Sequence, residues 1–159
     1  MKKAWNIVNQ PVYSLMTQTP SGNINMNICT YVSPISLKPK QYMVALYEGT
    51  KSLELATYSE KVVLQVLNKN QIDLVRSLGK RSGYQFNKDA FLRKKNLLSY
   101  WKNYELLKGA NAYIELEKQE ILKCGGDHQL FIYEVISSKT NYEIDSLGFQ
   151  DLMREKIIL

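Results

Sequence analysis

Apolar and polar residues alternate in several short segments of the chain, and this pattern predicts a mainly β protein. One strand is expected over residues 11–18 and a second over 24–32, with the turn TPSGN between them, where Pro20 and Gly22 interrupt the alternation. The other predicted strands lie at residues 41–48, 61–67, 111–122 and 128–139. The last two are expected to pair around the turn KCGGD.

Helical spacing of apolar residues is confined to short segments. Residues 51–59 follow Thr50, a suitable N-cap, and residues 70–79 end at Gly79. Residues 146–159 begin with helical character and end in apolar side chains, which indicates that this end docks on the core. Because strands dominate and two short helices are inserted among them, the order predicts an antiparallel β-barrel with helical decorations.

Two segments do not follow these patterns. The sequence NICTYVSPISLKP, residues 27–39, starts as a strand and ends in a corner rich in hydroxyls and prolines. Such a corner is either an ordinary turn or one wall of a binding site. Residues 80–105 are basic and aromatic, and they are expected to form a long excursion with helical turns or a lid.

Length and composition are those of a globular protein. The 159 residues are most simply one domain over 1–159, with 45% hydrophobic and 23% charged residues. The longest apolar run is too short to span a bilayer, and polar residues interrupt any signal-peptide core near the N-terminus. We therefore expect a cytoplasmic protein that does not act at a membrane. Cys29 and Cys124 are expected to be reduced and to pack in the core.

The net charge of +6 and the pI of about 9.2 favour anionic partners. Basic residues cluster at 79–83 and 91–96, although a solvated face is the simpler interpretation of such runs. No zinc finger or RNA-binding motif is present, so no nucleic-acid partner is expected.

His128 is the only histidine, which argues against a metal site. The sequence GKRS resembles half of a P-loop, but Leu74 stands where the first glycine is required.

Two further motifs have a structural and a functional interpretation. In GTKS, residues 49–52, a helix start would present free N–H groups, two hydroxyls and an ammonium group to an anion such as phosphate. An ordinary helix cap explains the same residues. In GGDH, residues 125–128, the glycines suit a hairpin bend, and a lone histidine at a strand start is more often structural than catalytic.

Taken in order, four blocks of the sequence resemble the flavin reductase-like FMN-binding split-barrel family. They are the pattern N-x-x-T-x-V-S-x-x-S-x-x-P at 27–39, GTKS at 49–52, VVLQVLNKNQIDLVRSLGKRSG at 62–83 and GDHQLFIYEV at 126–135. The resemblance extends from about Val12 to Val135, and the shared order is more specific than any single block. It implies a six-stranded antiparallel split barrel that forms a homodimer and binds FMN near the dimer interface.

The resemblance also implies roles for individual residues. The turn after the second strand would line the flavin ring, mainly through its backbone: Asn27, Thr30, Tyr31, Val32, Ser33 and Pro34. The helix start would bind the phosphate: Thr50, Lys51 and Ser52. The Gly-Asp-His turn would place Asp127 and His128 near the flavin or the nicotinamide. A loop bordering the site would contain Ser82, Gly83 and Lys88.

The sequence departs from the family pattern in several places. Lys38-Pro39 stands where two prolines are common, Gln65 stands where an asparagine is common, and the late cysteine is displaced to Cys124. Residues 92–105 match no family segment, so the resemblance does not identify the substrate.

The function implied by the resemblance is an NAD(P)H-dependent flavin reductase that uses FMN. The flavin and the nicotinamide supply the redox chemistry, while the protein orients them. The alternative is an FMN-holding electron carrier that a partner protein reduces. A barrel that has lost its cofactor is a third interpretation.

Overall fold

The computed structural model describes residues 1–158, and its centre is a seven-stranded antiparallel sheet. The strands are β1 (Tyr13–Gln18), β2 (Ile24–Met26), β3 (Val32–Leu37), β4 (Lys40–Tyr47), β5 (Lys61–Val66), β6 (Leu98–Trp101), β7 (Tyr104–Leu107), β8 (Ala112–Lys123) and β9 (His128–Thr140). The order in the sheet is β2-β1-β5-β8-β9-β4-β3, and β6 and β7 form a separate hairpin. The mainly β, antiparallel architecture is confirmed. Because β2 and β3 lie at opposite ends of this strand order, closure of the sheet into a split barrel remains a prediction.

Four α-helices and two short 3₁₀ helices accompany the sheet. They are α1 (Lys51–Tyr58), α2 (Ile72–Gly79), α3 (Lys88–Lys94) and α4 (Phe149–Arg154), with 3₁₀ turns at Ala4–Asn6 and Lys69–Gln71. The two predicted helices are α1 and α2, α3 lies in the segment 80–105 where helical turns were expected, and α4 lies in the segment 146–159 that was expected to begin with helical character. Within residues 1–158, no helix combines the length and the apolar character that a membrane crossing requires.

The sheet is buried on both faces, and each face packs on its own apolar cluster. Successive side chains of a strand point to opposite faces. Leu15 therefore packs in one cluster and Met16 in the other, and Leu64 and Val63 are divided in the same way. Ile157 is 2% exposed and joins the Met16 cluster, which confirms that the C-terminal end docks on the core. Leu159, the last residue of that predicted segment, lies outside the described residues.

The segment after the first turn differs from its prediction. Residues 24–32 are not one strand, because β2 ends at Met26 and an isolated bridge between Cys29 and Tyr13 of β1 precedes β3. The proline-rich corner is itself strand β3, paired with β4 through a bulge between Pro34 and Ser36. A proline is tolerated there because β3 is an edge strand, where one side of the backbone needs no ladder partner. The turn follows at residues 38–39.

A buried carboxylate anchors the β6–β7 hairpin to the main sheet. Glu115 on β8 is 5% exposed and pairs with Lys102, in the turn of the hairpin. It also accepts hydrogen bonds from Tyr104 (2.8 Å) and Ser137 (2.7 Å). Burial alone would raise the pKa of Glu115, but these donors lower it to about 2. The hairpin therefore depends on contacts between residues that are distant in the sequence.

The two cysteines occupy different environments. Cys29 is buried, as expected, and burial raises the pKa of its thiol to about 12. Cys124 is exposed, so its expected place in the core was wrong. It lies in the turn between β8 and β9, where Gly125 has a φ of +77°, and the side chains of this turn point into solvent.

Candidate functional site

A cleft of about 430 Å³ opens where β4 ends and α1 begins. Five segments form its walls: the link between β2 and β3, the β4–α1 junction, the end of α2 with the residues after it, the start of α3, and the start of β9. The lining residues are Asn27, Ile28, Cys29, Thr30, Tyr31, Ala45, Leu46, Tyr47, Thr50, Lys51, Ser52, Leu78, Gly79, Lys80, Arg81, Ser82, Gly83, Lys88 and His128. The order of strands in the sheet brings these distant segments together.

Thr50 fixes the start of α1 at this cleft, which confirms the predicted N-cap. Its hydroxyl donates to the carbonyl of Tyr47 at 2.8 Å and accepts from the N–H of Leu53 at 3.3 Å. The side chain of Thr50 is therefore occupied by the cap. The N–H groups of Lys51 and Ser52 lie in the first turn, where no helical carbonyl is available to them. These groups and the helix dipole favour an anion in the cleft.

Ser52 offers a second donor beside this helix start. It is 5% exposed, and its Oγ accepts a hydrogen bond of 3.0 Å from Nδ2 of the buried Asn25. Since the amide already supplies a proton to the oxygen, the hydroxyl proton of Ser52 is free to point to an acceptor. No local sequence pattern indicates Asn25, because its contact with Ser52 joins residues that are 27 positions apart in the chain.

Lys88 places a buried ammonium group in the wall of the cleft. It is 6% exposed, and its Nζ donates to the carbonyl of Leu78 at 2.7 Å. Burial and the nearby charge of Lys51 lower the pKa of Lys88 to about 8. Within residues 1–158, neither lysine forms an ion pair with a carboxylate. The cleft therefore holds two like charges that an anionic ligand would offset.

Aromatic rings surround His128 in another wall of the cleft. The ring of Tyr31 lies 5.0 Å from the imidazole, and the ring of Tyr47 lies 5.2 Å from it in an edge arrangement. Nδ1 of His128 is 2.6 Å from a carboxylate oxygen of Asp127. This contact directs Nδ1 to the carboxylate and leaves Nε2 available to a ligand. Tyr31 and Tyr47 are both more than half exposed, so their rings present flat apolar surface.

The structure brings most of the predicted site residues together in the cleft. Those that line it are Asn27, Thr30, Tyr31, Thr50, Lys51, Ser52, Ser82, Gly83, Lys88 and His128. Val32, Ser33 and Pro34 lie outside the lining because they belong to β3. Asp127 also lies outside it and contacts the cleft only through His128. The side chain of Asn27 is already used, since its Oδ1 accepts from the N–H of Leu15 at 2.9 Å.

Residues 80–87 connect α2 to α3, and we call them the strap. Gly83 packs on the start of α1 so closely that a Cβ there would lie 3.1 Å from the Cβ of Lys51 and 2.7 Å from Oδ1 of Asn25. Only glycine fits this contact without displacing its neighbours. Arg81 lies 3.7 Å from the ring centre of Phe86 within the strap. Lys80 and Arg81 line the cleft. Both belong to the basic cluster at residues 79–83, which is visible in the sequence.

The chain matches the family model described as "Flavin reductase like domain" over residues 5–154. No curated protein matches the chain. Among solved structures, the flavin reductase of the styrene monooxygenase from Pseudomonas putida S12 has a TM-score of 0.77 at 24% identity, over 92% of this chain and 89% of that chain.

Two further solved structures share this fold at lower identity. The FMN-binding protein from Thermus thermophilus with bound p-hydroxybenzaldehyde has a TM-score of 0.76 at 19% identity, over 90% of this chain and 78% of that one. The NADH:FAD oxidoreductase of Streptomyces globisporus, in complex with NAD and FAD fragments, has a TM-score of 0.74 at 18% identity. The match covers 91% of this chain and 81% of that chain.

Proposed function

Because the chain belongs to the flavin reductase like domain family, we propose that it is an NAD(P)H-dependent reductase that binds FMN in the cleft at the start of α1. When bound, the flavin accepts a hydride from the nicotinamide at N5, and the two nucleotides supply the redox chemistry. No side chain is required as a nucleophile. The protein binds, orients and shields the reactants.

The observation that carries this proposal is the uncompensated positive charge of the cleft. Lys51 and Lys88 are close enough for their charges to interact, and neither has a carboxylate partner within residues 1–158. The first-turn N–H groups of α1 and the hydroxyl of Ser52 add neutral donors at the same place. A phosphate monoester carries about two negative charges near neutral pH and offers three acceptor oxygens, which suits this set of donors. FMN has such a group.

In this proposal the aromatic wall binds the planar part of the reactants. Tyr31 and the backbone of residues 27–31 would lie along the flavin ring. His128, held by Asp127 and flanked by Tyr47, would position the nicotinamide through Nε2. The ribityl chain would lie between this wall and the lysines.

We also propose that residues 1–159 act as one domain and that two copies assemble. The resemblance described above implies a homodimer. The exposed side chains of Ile35 and Leu37 on edge strand β3 are apolar surface that a second copy would cover.

The direct test of the function uses purified protein, FMN and NADH or NADPH. We expect saturable binding of FMN, followed by oxidation of the nicotinamide in the presence of excess FMN or another acceptor. A protein that takes up no FMN contradicts the proposal. Uptake of FMN without nicotinamide oxidation, restored when a reduced partner protein is added, identifies an electron carrier instead.

Substitution of Lys51 by glutamate tests the proposed phosphate site. One charge-assisted hydrogen bond is worth about 1.5–3 kcal/mol, so Lys51→Glu should weaken FMN binding by at least about tenfold in a fluorescence titration. Lys139→Glu is the matched control, since it makes the same charge change at an exposed position outside the cleft. Equal affinity in the wild type and Lys51→Glu would show that Lys51 does not contact the phosphate.

The lowered pKa of Lys88 predicts how FMN binding depends on pH. Below its pKa of about 8 the ammonium is charged, and above it the charge is lost, so affinity should fall as the pH rises. Between about pH 7 and pH 9, the fall should begin near pH 8 and approach a limiting slope of about tenfold per pH unit above it. Lys88→Arg retains its charge throughout this range and should flatten the profile, provided that it binds FMN at pH 7. A flat wild-type profile is the contrary result.

A further inference from the structure

The strap lies against the part of the cleft that we propose to bind phosphate. Lys80, Arg81, Ser82 and Gly83 line the cleft, and Gly83 rests on the side chain of Lys51. A phosphate held by Lys51 and the start of α1 would therefore be bordered by the strap. A ligand in this position leaves more easily if the strap moves away from α1.

The strap is folded on itself by local hydrogen bonds. The carbonyl of Ser82 accepts from the N–H groups of Gln85 (3.1 Å) and Phe86 (2.9 Å), and its hydroxyl accepts from the N–H of Tyr84 (3.2 Å). Arg81 stacks on Phe86. These contacts close a compact turn but do not attach it to the rest of the protein. Phe86 also packs against Phe91 of α3, with 5.4 Å between the ring centres, so a displacement of the strap from α1 would pivot at its α3 end.

One side-chain hydrogen bond attaches the strap to α1. The hydroxyl of Tyr84 donates to the carboxylate of Glu54, one helical turn beyond Thr50. Among residues 1–158 this is the one hydrogen bond between a strap side chain and α1. The hydrogen bond to Glu54, more than burial, raises the pKa of Tyr84 above its ordinary value. Tyr84 is 56% exposed, and a hydrogen bond in such a position breaks and forms readily.

We infer that Tyr84 and Glu54 form a latch that holds the strap over the phosphate end of the cleft and sets the rate at which flavin dissociates. This inference rests on the proposed function. Tyr84 and Glu54 do not line the cleft, so they are positioning residues that act through Gly83 and Lys51. The dissociation rate that the latch sets would determine whether FMN is retained through many turnovers or exchanged after each one.

The test measures dissociation and association of FMN separately by stopped-flow fluorescence. Tyr84→Phe removes only the hydroxyl, and Glu54→Ala removes the carboxylate that accepts from it. Each should raise the dissociation rate about three- to tenfold and leave the association rate nearly unchanged. The double variant should dissociate no faster than Tyr84→Phe, because both changes break the same bond.

The matched control is Tyr58→Phe, which removes a hydroxyl from an exposed tyrosine on the same helix, outside the cleft. It should dissociate FMN at the wild-type rate. Thermal unfolding midpoints of all variants should agree closely with that of the wild type, which separates a latch from a loss of stability.

The outcomes distinguish this inference from the proposed function. A wild type that binds no FMN overturns the proposed function and the latch with it. A wild type that binds FMN, with unchanged dissociation from Tyr84→Phe and Glu54→Ala, overturns the latch alone. Effects that add in the double variant also overturn it, because they show that the two residues act independently.

Discussion

Two lysines that share one cleft, and that have no carboxylate partner within residues 1–158, are the feature on which the proposed phosphate site depends. Lys88 is nearly fully buried, and its pKa is lowered to about 8 by burial and by the charge of Lys51. Keeping both charges in place costs free energy in the empty protein. In the proposed function, the phosphate of FMN would offset this repulsion on binding, and that gain would add to its affinity for the cleft.

The surrounding structure holds these charges in position. The pairing of β4 with β9 brings His128 opposite Tyr47, and Thr50 then caps α1 three residues later. The start of α3 contributes Lys88 to the cleft. Gly83 has no side chain, which permits the strap to lie directly on Lys51. Sheet pairing thus fixes the aromatic wall, and helix starts fix the cationic wall. The two walls of the cleft are built from different kinds of structure.

The sequence predicted the parts of the fold that depend on local patterns. Thr50 was found as an N-cap because capping involves residues three positions apart, and the β8–β9 hairpin follows from two alternating strands around a glycine turn. Strand β3 was missed because Pro34 is acceptable only at a sheet edge, and edge position is a property of the tertiary fold. The β6–β7 hairpin was missed because Glu115 and Lys102 hold it from different parts of the chain. Asn25 and the Tyr84–Glu54 bond escaped detection for the same reason.

The most direct test of the central claim compares the affinities of FMN and riboflavin for the wild-type protein at low ionic strength. Riboflavin has the same ring and ribityl chain but no phosphate. If Lys51, Lys88 and the start of α1 bind the phosphate, FMN should bind at least about tenfold more tightly, and added salt should reduce the difference. Equal affinities for the two flavins would contradict the account.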